Sequence, residues 1–242
     1  MKRILPLTII FLALAATTFA QKPSAESISK RLSLGFGVFT DLWQKVPDSI
    51  SPRAINQGVD VFIRYAFPMD KKGRMTFFIG AGIGAHNFYN QALLGTGSYN
   101  IYETLPEGVS TNESYFYNVP PIFNDKNIDV KKSKLSITYI DIPFGLLYKA
   151  PSNAHFTLGF KVGWKIDAHT KYKGSNLDGS GYEVVEKESK LRNIDNIHYG
   201  PYAEIGYKWI GASVFYQISS VFDKDLGPQI YPISVGLVFK PF

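Results

Sequence analysis

The sequence predicts an all-β protein: an eight-stranded antiparallel transmembrane β-barrel with long extracellular loops and short periplasmic turns. Three observations in the 242 residues predict it. Apolar and polar residues alternate along recurring segments; the connections between those segments alternate short and long; and the polar parity is rich in glycine. A period of two is the signature of a strand with unlike faces. Short turns at one end and longer loops at the other, with both termini on the short-turn side, are what a membrane barrel shows.

The chain begins with Lys2 and Arg3, an apolar run from Ile4 to Ala16 broken only by Pro6 and Thr8, and the small-residue pattern Thr18-Phe19-Ala20. That is the layout of a cleaved secretory signal, and the run is too short for a comfortable membrane span. The expected organisation is a signal peptide over 1–20, an N-terminal periplasmic segment over 21–31 and an outer-membrane barrel domain over 32–242. Without Lys2 and Arg3 the 26 basic side chains become 24, against 20 acidic ones. So small and dispersed an excess gives no expectation of nucleic-acid binding. With no cysteine in the chain, disulfide scaffolds, thiol catalysis and Cys-based zinc sites are excluded. No later stretch reaches the length of a transmembrane helix, so a membrane-resident form must be a closed barrel.

The strands follow in order. Leu32, Leu34, Phe36 and Val38 alternate with Ser33, Gly35 and Gly37, and Val59 to Phe67 alternates through Asp60 and Arg64. Met75 to Ala85 carries Gly80, Gly82 and Gly84 on its polar parity. A fourth segment runs from Lys134 to Lys149, and its apolar parity changes between Leu135-Ile137-Tyr139 and Ile140-Ile142-Phe144. Such a change inside one strand predicts a bulge around 139–141, with Pro143 just beyond it. Residues 156–167, FTLGFKVGWKID, alternate without an error, and the last three strands are expected over 199–209, 212–218 and 233–239. Short turns fall at 68–73, 151–154 and 210–211; longer connections fall at 41–57, 88–133, 170–196 and 220–229.

The polar parity decides which face is inside. A water-facing sheet gains nothing from glycine, whereas the interior of a narrow barrel needs small residues where side chains converge. The expectation is lipid outside and a lumenal charge network inside, built from Asp60, Arg64, Lys161, Lys165, Asp167, Glu204 and Lys208. The expected partners of Lys161 and Lys165 include Asp60 and Glu204. Eight strands leave an interior just wide enough for side chains, so the network reads as a packed plug. Tyr65, Phe67, Tyr148, Tyr207, Trp209 and Phe239 gather near the short-turn ends and read as an aromatic girdle.

Residues 139–149, YIDIPFGLLYK, resemble the fourth-strand signature of the PorT-like outer-membrane β-barrel family common in Bacteroidetes, through Tyr139, Asp141 and Pro143. The resemblance implies an outer-membrane barrel without fixing an activity, one branch of the family taking part in protein secretion. Phe242 is a terminal aromatic of the kind outer-membrane barrels often carry, although Lys240-Pro241 precede it.

Catalysis is not expected. His86 and His169 fall near the outer strand ends, and Asp167 could orient His169, but no nucleophile is fixed, so both read as rim histidines exposed to water. No ligand spacing suits a metal, no cofactor is expected, and Gly80-x-Gly82-x-Gly84 alternates along a strand instead of opening a helix. The 88–133 loop, rich in tyrosine and phenylalanine, is a candidate for binding or for a lid over the mouth, and Lys131-Lys132-Ser133-Lys134 for contact with lipopolysaccharide phosphates. The reading is a monomeric barrel in the cell outer membrane, porin-like in architecture, with a structural or surface-interaction role. Its partners would be outer-membrane lipid and lipopolysaccharide. The alternatives are a component of a protein secretion apparatus and a lipid-A-modifying enzyme.

Overall fold

Long period-two segments form strands because each buries one parity and exposes the other, and with three further strands outside that pattern the described residues hold eleven. In order they are β1 (Leu32–Leu42), β2 (Gln57–Pro68), β3 (Met75–Asn90), β4 (Ala92–Thr96), β5 (Ser114–Asn118), β6 (Val130–Lys149), β7 (Ala154–Ser175), β8 (Glu183–Ser189), β9 (Ile197–Tyr207), β10 (Ile210–Tyr216) and β11 (Ile233–Phe239). The computed structural model describes residues 31–47, 50–96, 110, 112–118, 129–176 and 182–241. The expected signal peptide, the segment before the barrel, most of the aromatic 88–133 loop and Phe242 lie outside the described residues.

Eight of the strands close a ring in the order β1-β2-β3-β6-β7-β9-β10-β11, with β1 pairing β11 antiparallel from Phe36 opposite Phe239 to Leu42 opposite Ile233. Closure leaves no open edge among the eight, which is the condition for a sheet to cross hydrocarbon. Outside the ring, β4 and β5 form a separate two-stranded sheet and β8 adds to the upper part of β7.

The outer face carries the apolar parity. On β7, Phe156, Leu158, Trp164 and Ile166 are each exposed by about half, and Leu34, Val61, Ile83, Ile205 and Leu237 on other strands are comparably bare. A band this continuous is a lipid-facing surface. Phe156 to Ile166 spans roughly 33 Å along the strand, or ~25 Å in height at a tilt near 40°, which matches a bilayer's apolar band. At its short-turn border Phe67 lies against Tyr65 and Phe77, and Phe239 against Phe36 and Trp209, with ring centroids 4.9–6.1 Å apart. These contacts form the girdle.

Two details differ from the sequence expectation. On β6 the buried parity runs unbroken from Ser133 through Leu135, Ile137, Tyr139, Asp141 and Pro143, so the strand has no change of phase. What changes is the medium outside it. Below Tyr139 the outer face meets lipid; above it Lys134, Ser136 and Thr138 face outward and the apolar residues turn in. The bulge lies on the neighbouring strand: Thr138 pairs Asp167 and Tyr139 pairs Lys165, leaving Ile166 as the extra residue of β7. The second difference is the β9–β10 turn, where Tyr207 pairs Ile210 around Lys208-Trp209, two residues earlier than expected.

Above the lipid band the inward residues build an apolar core. Leu135, Ile137, Phe88 and Ala168 from the strands meet Ile50, Leu191, Ile194, Val221, Phe222 and Ile230 from the connections, with Phe116 of β5 among them. The described parts of the long connections thus pack across the mouth.

Candidate functional site

Beneath that apolar cap the lumen holds two charged clusters. In the lower one, Glu204 of β9 is buried and accepts from Arg64 at 3.0 Å and meets His155 at 3.2 Å, with Lys240 also paired to it. Arg64 projects from β2, diametrically opposite β9 in the ring, so this pair spans the lumen. The Arg64 guanidinium lies 4.1 Å from the centre of the Phe62 ring, with Phe78 and Tyr202 also within cation–π range.

In the upper cluster Asp141 of β6 meets His198 at 2.6 Å and Lys161 at 3.6 Å, while Asp41 of β1 meets His86 at 2.9 Å and accepts from Ser234 at 2.5 Å. Tyr139 stacks on His198 with ring centres 3.8 Å apart. A cavity of about 50 Å³ is walled by residues of both clusters, and Asp60 lines it with a buried carboxylate oxygen that has no hydrogen-bond partner among the described residues. The inward glycines are the counterpart of these large groups. A Cβ on Gly159 would lie 2.6 Å from the Tyr202 ring, and one on Gly35 would lie 2.5 Å from Phe62.

Of the seven residues expected in the network, the structure brings Asp60, Arg64, Lys161 and Glu204 into the lumen. Lys161 turns to Asp141, not to Asp60 or Glu204. Lys165 points upward and donates to the Ile194 carbonyl beneath the apolar cap. Asp167 and Lys208 are corrections. The extra residue Ile166 carries Asp167 to the exposed outer face, and Lys208 sits in the two-residue turn with a φ of 53°. His86 is also corrected, being 2 % exposed and part of the upper cluster instead of the rim. Asp41, His155, His198 and Lys240 completed the clusters without being singled out as lumenal charges. Their inward parity was the available signal. Tyr139, Asp141 and Pro143 all face the lumen.

Outside, β6, β7 and β8 continue above the lipid band as a sheet whose outer face is basic. Lys134 of β6 stands opposite Lys171 of β7, which stands opposite Lys187 of β8; Tyr89 of β3 extends the same row on the other side. Lys132 and Lys173 face each other one rung higher. Lys132 and Lys134 lie 5.3 and 6.0 Å from the Tyr89 ring centre, and Arg53 lies 5.8 Å from it. Partial burial, followed by the neighbouring charges of Lys132, Lys171 and Lys187, pushes the Lys134 ammonium below its ordinary value. Glu183 neutralises a different part of the sheet, at 2.5 Å from Lys131 and 3.0 Å from Lys173, and those bonds hold its carboxyl below the usual range.

One rung below the lysine row, His169 Nδ1 meets Asp167 Oδ2 at 2.7 Å, with Ser136 and Ser189 directly opposite His169 on the two flanking strands. Ser136 donates instead to Asn87 Oδ1 at 3.0 Å, and among the described residues no hydroxyl bonds to His169. Among the described residues no group of three or more His, Asp or Glu is placed to hold a metal.

No protein-family model matches the sequence, and no curated protein does. Solved structures of outer-membrane proteins match at low similarity. The attachment invasion locus protein Ail of Yersinia pestis is similar at 13 % identity, with 86 % of this chain and 97 % of that one covered and a TM-score of 0.36. Ail in complex with the heparin analogue sucrose octasulfate gives 12 % identity and a TM-score of 0.35 over the same coverage. A Rh. blastica porin mutant gives 10 % identity and a TM-score of 0.22, covering 86 % of this chain and 99 % of that one. The barrel itself follows from the strand pairing and the outward apolar band.

Proposed function

We propose that the chain is a non-catalytic outer-membrane barrel, its long-loop end outward, with a structural or surface-interaction role. The observation that supports this reading best is the closed lumen. Charged side chains bridge the interior, and the apolar cap of Ile137, Phe222, Ile194 and their neighbours lies across the mouth. A barrel filled in this way has its interacting surface on the folded connections, not in a channel. The test is electrical. The refolded protein in planar bilayers should show no stable unitary conductance, while protease or biotin label added to whole cells should reach β8 and the connections around it. A steady conductance would overturn the closed-lumen reading.

A second reading, a PorT-like component of a secretion apparatus, rests on residues 139–149. Tyr139 and Asp141 of that stretch are engaged inside the barrel, so the motif supports shared packing more than a shared partner surface. Co-purification with other envelope proteins, together with a secretion defect on deletion, would favour it. The enzyme reading would be favoured by a lipid A mass spectrum altered on deletion and restored by wild type but not by His169→Ala.

A further inference from the structure

Like charges placed directly opposite across paired strands destabilise a sheet. The row Lys134–Lys171–Lys187 places three lysines in that relation on three adjacent strands, and Lys132–Lys173 repeats it one rung higher. Glu183 meets Lys173, but among the described residues no carboxylate comes within ion-pair distance of Lys132, Lys134, Lys171 or Lys187. The carboxylates of β8 at Glu186 and Glu188 alternate with Lys187 and so belong to its opposite face. A sheet that accumulates uncompensated charge on one face of three strands is built to receive its counter-ions from outside.

The height of the row identifies the source. Ala85 of β3 stands opposite Thr138, where the outer face of β6 turns polar, and Tyr89 in the lysine row is four residues further on. That is ~13 Å along the strand, or roughly 10 Å in height at a barrel tilt of about 40°. This is the level of head groups. From Lys134 to Lys187 the row crosses two inter-strand spacings, about 10 Å. That width exceeds a single phosphodiester and suits a head group bearing separated phosphates on sugar rings. Tyr89, flanked by Arg53, Lys132 and Lys134, offers a flat face for such a ring at the end of the row.

We propose that the outer face of the β3-β6-β7-β8 sheet, through Lys134, Lys171, Lys187, Lys132, Arg53 and Tyr89, binds the phosphorylated sugar head group of an outer-leaflet lipopolysaccharide molecule. The proposal rests on the outer-membrane reading above and adds to it a ligand class and a binding face.

The test compares wild type with Lys134→Gln/Lys171→Gln/Lys187→Gln in detergent. Both must first show heat-modifiable gel mobility; failure of the wild type at that step, with recovery in the soluble periplasm, overturns the barrel reading separately. Purified lipopolysaccharide is then titrated against each, with its dephosphorylated form and phosphatidylglycerol as the other arms. The expected result is saturable binding of lipopolysaccharide by wild type, weakened about a hundredfold in the triple variant, which corresponds to roughly 1 kcal/mol for each lysine near an anionic surface. Dephosphorylation should weaken wild-type binding comparably. Relief of the repulsion should leave the lipid-free triple variant at least as heat-stable as wild type, so a folding failure is not the expected cause of lost binding. A single Lys171→Gln variant provides a smaller change on the same scale. Equal binding by wild type and variants, equal binding of both lipopolysaccharide forms, or tighter binding of phosphatidylglycerol would each overturn the proposal.

Discussion

Glu204→Ala is the most informative single substitution in the lumen. Glu204 is 2 % exposed, accepts from Arg64 and Lys240, and lies against His155. Removing one partner from a buried ion pair costs about 3–5 kcal/mol, because the charge left behind is still desolvated. Here Arg64 and Lys240 lose their partner at once, which pushes the cost up. Asp60 pulls it down, since its free carboxylate oxygen shares the cavity with Arg64 and offers a second partner after a side-chain rotation. The expected cost is therefore near the lower end, about 3 kcal/mol, which for a chain of this size lowers the melting midpoint by roughly 6–12 °C. The assay is the loss of the compact, fast-migrating band on heating in detergent, with urea unfolding in lipid vesicles as the second measure. Glu204→Gln, which keeps the volume and an acceptor oxygen, should fall between wild type and Glu204→Ala. A midpoint for Glu204→Ala within about 2 °C of wild type would refute the reasoning: water in the cavity, not Glu204, would then be solvating Arg64 and Lys240.

Other perturbations separate the layers of the molecule. Ile137→Ala, at a side chain with no exposed surface, should cost about 2–4 kcal/mol in the same melting assay without opening conductance, because the charged layer beneath stays in place. Gly159→Val forces a side chain against the Tyr202 ring and should reduce the yield of folded barrel, whereas Gly73→Val, in an open turn, should disturb the turn alone. Glu183 has its carboxyl lowered by Lys131 and Lys173, so its contribution to docking β8 is complete above the ordinary carboxylate range and is lost as pH falls through the lower folded value. Hydrogen-exchange protection in β8, taken relative to the intrinsic rate at each pH, should fall on acidification, and Glu183→Gln should show the low protection already at neutral pH. Lys134 is lowered in the folded protein, so without lipid the stability should increase as pH rises from that lowered value to the ordinary lysine range, a slope that Lys134→Gln removes.

How much of this was legible in the sequence depends on which medium each side chain meets. All eight ring strands could be read, because lipid outside and a packed lumen inside impose a strict period of two from Phe156 to Ile166 and along the other strands. The lumenal side chains Asp60, Arg64, Lys161 and Glu204 could be read from parity alone. Their pairing could not: Arg64 reaches Glu204 across the ring, and such partners depend on strand order and stagger. Asp167 was misplaced by a single inserted residue, since one bulge moves everything beyond it to the other face. The histidines were undervalued because a lone His gives no period of its own. Yet His198 and His86 fill the centre of the upper cluster. The strand pairs β4–β5 and β7–β8 lie in stretches where the outside is water, and there no lipid-imposed pattern marks them.

The reversal on β6 ties these results together. Leu135, Ile137 and Tyr139 face inward for the same reason that Ile140, Phe144 and Leu146 face outward: each apolar side chain turns from water toward the less polar side. Below the reversal that side is lipid, and polar groups are confined to the lumen, where they must pair with one another. Above it that side is the interior, and polar groups are released to the outer surface, where nothing in the fold requires them to pair. Buried carboxylates such as Asp141 and Glu204 therefore have cationic partners, while Lys134, Lys171 and Lys187 stand in an unneutralised row higher on the same sheet. One continuous sheet thus combines a neutralised interior at membrane depth with a basic exterior at head-group depth. The first closes the barrel, and the second leaves it a face with which to bind an anionic neighbour in the leaflet.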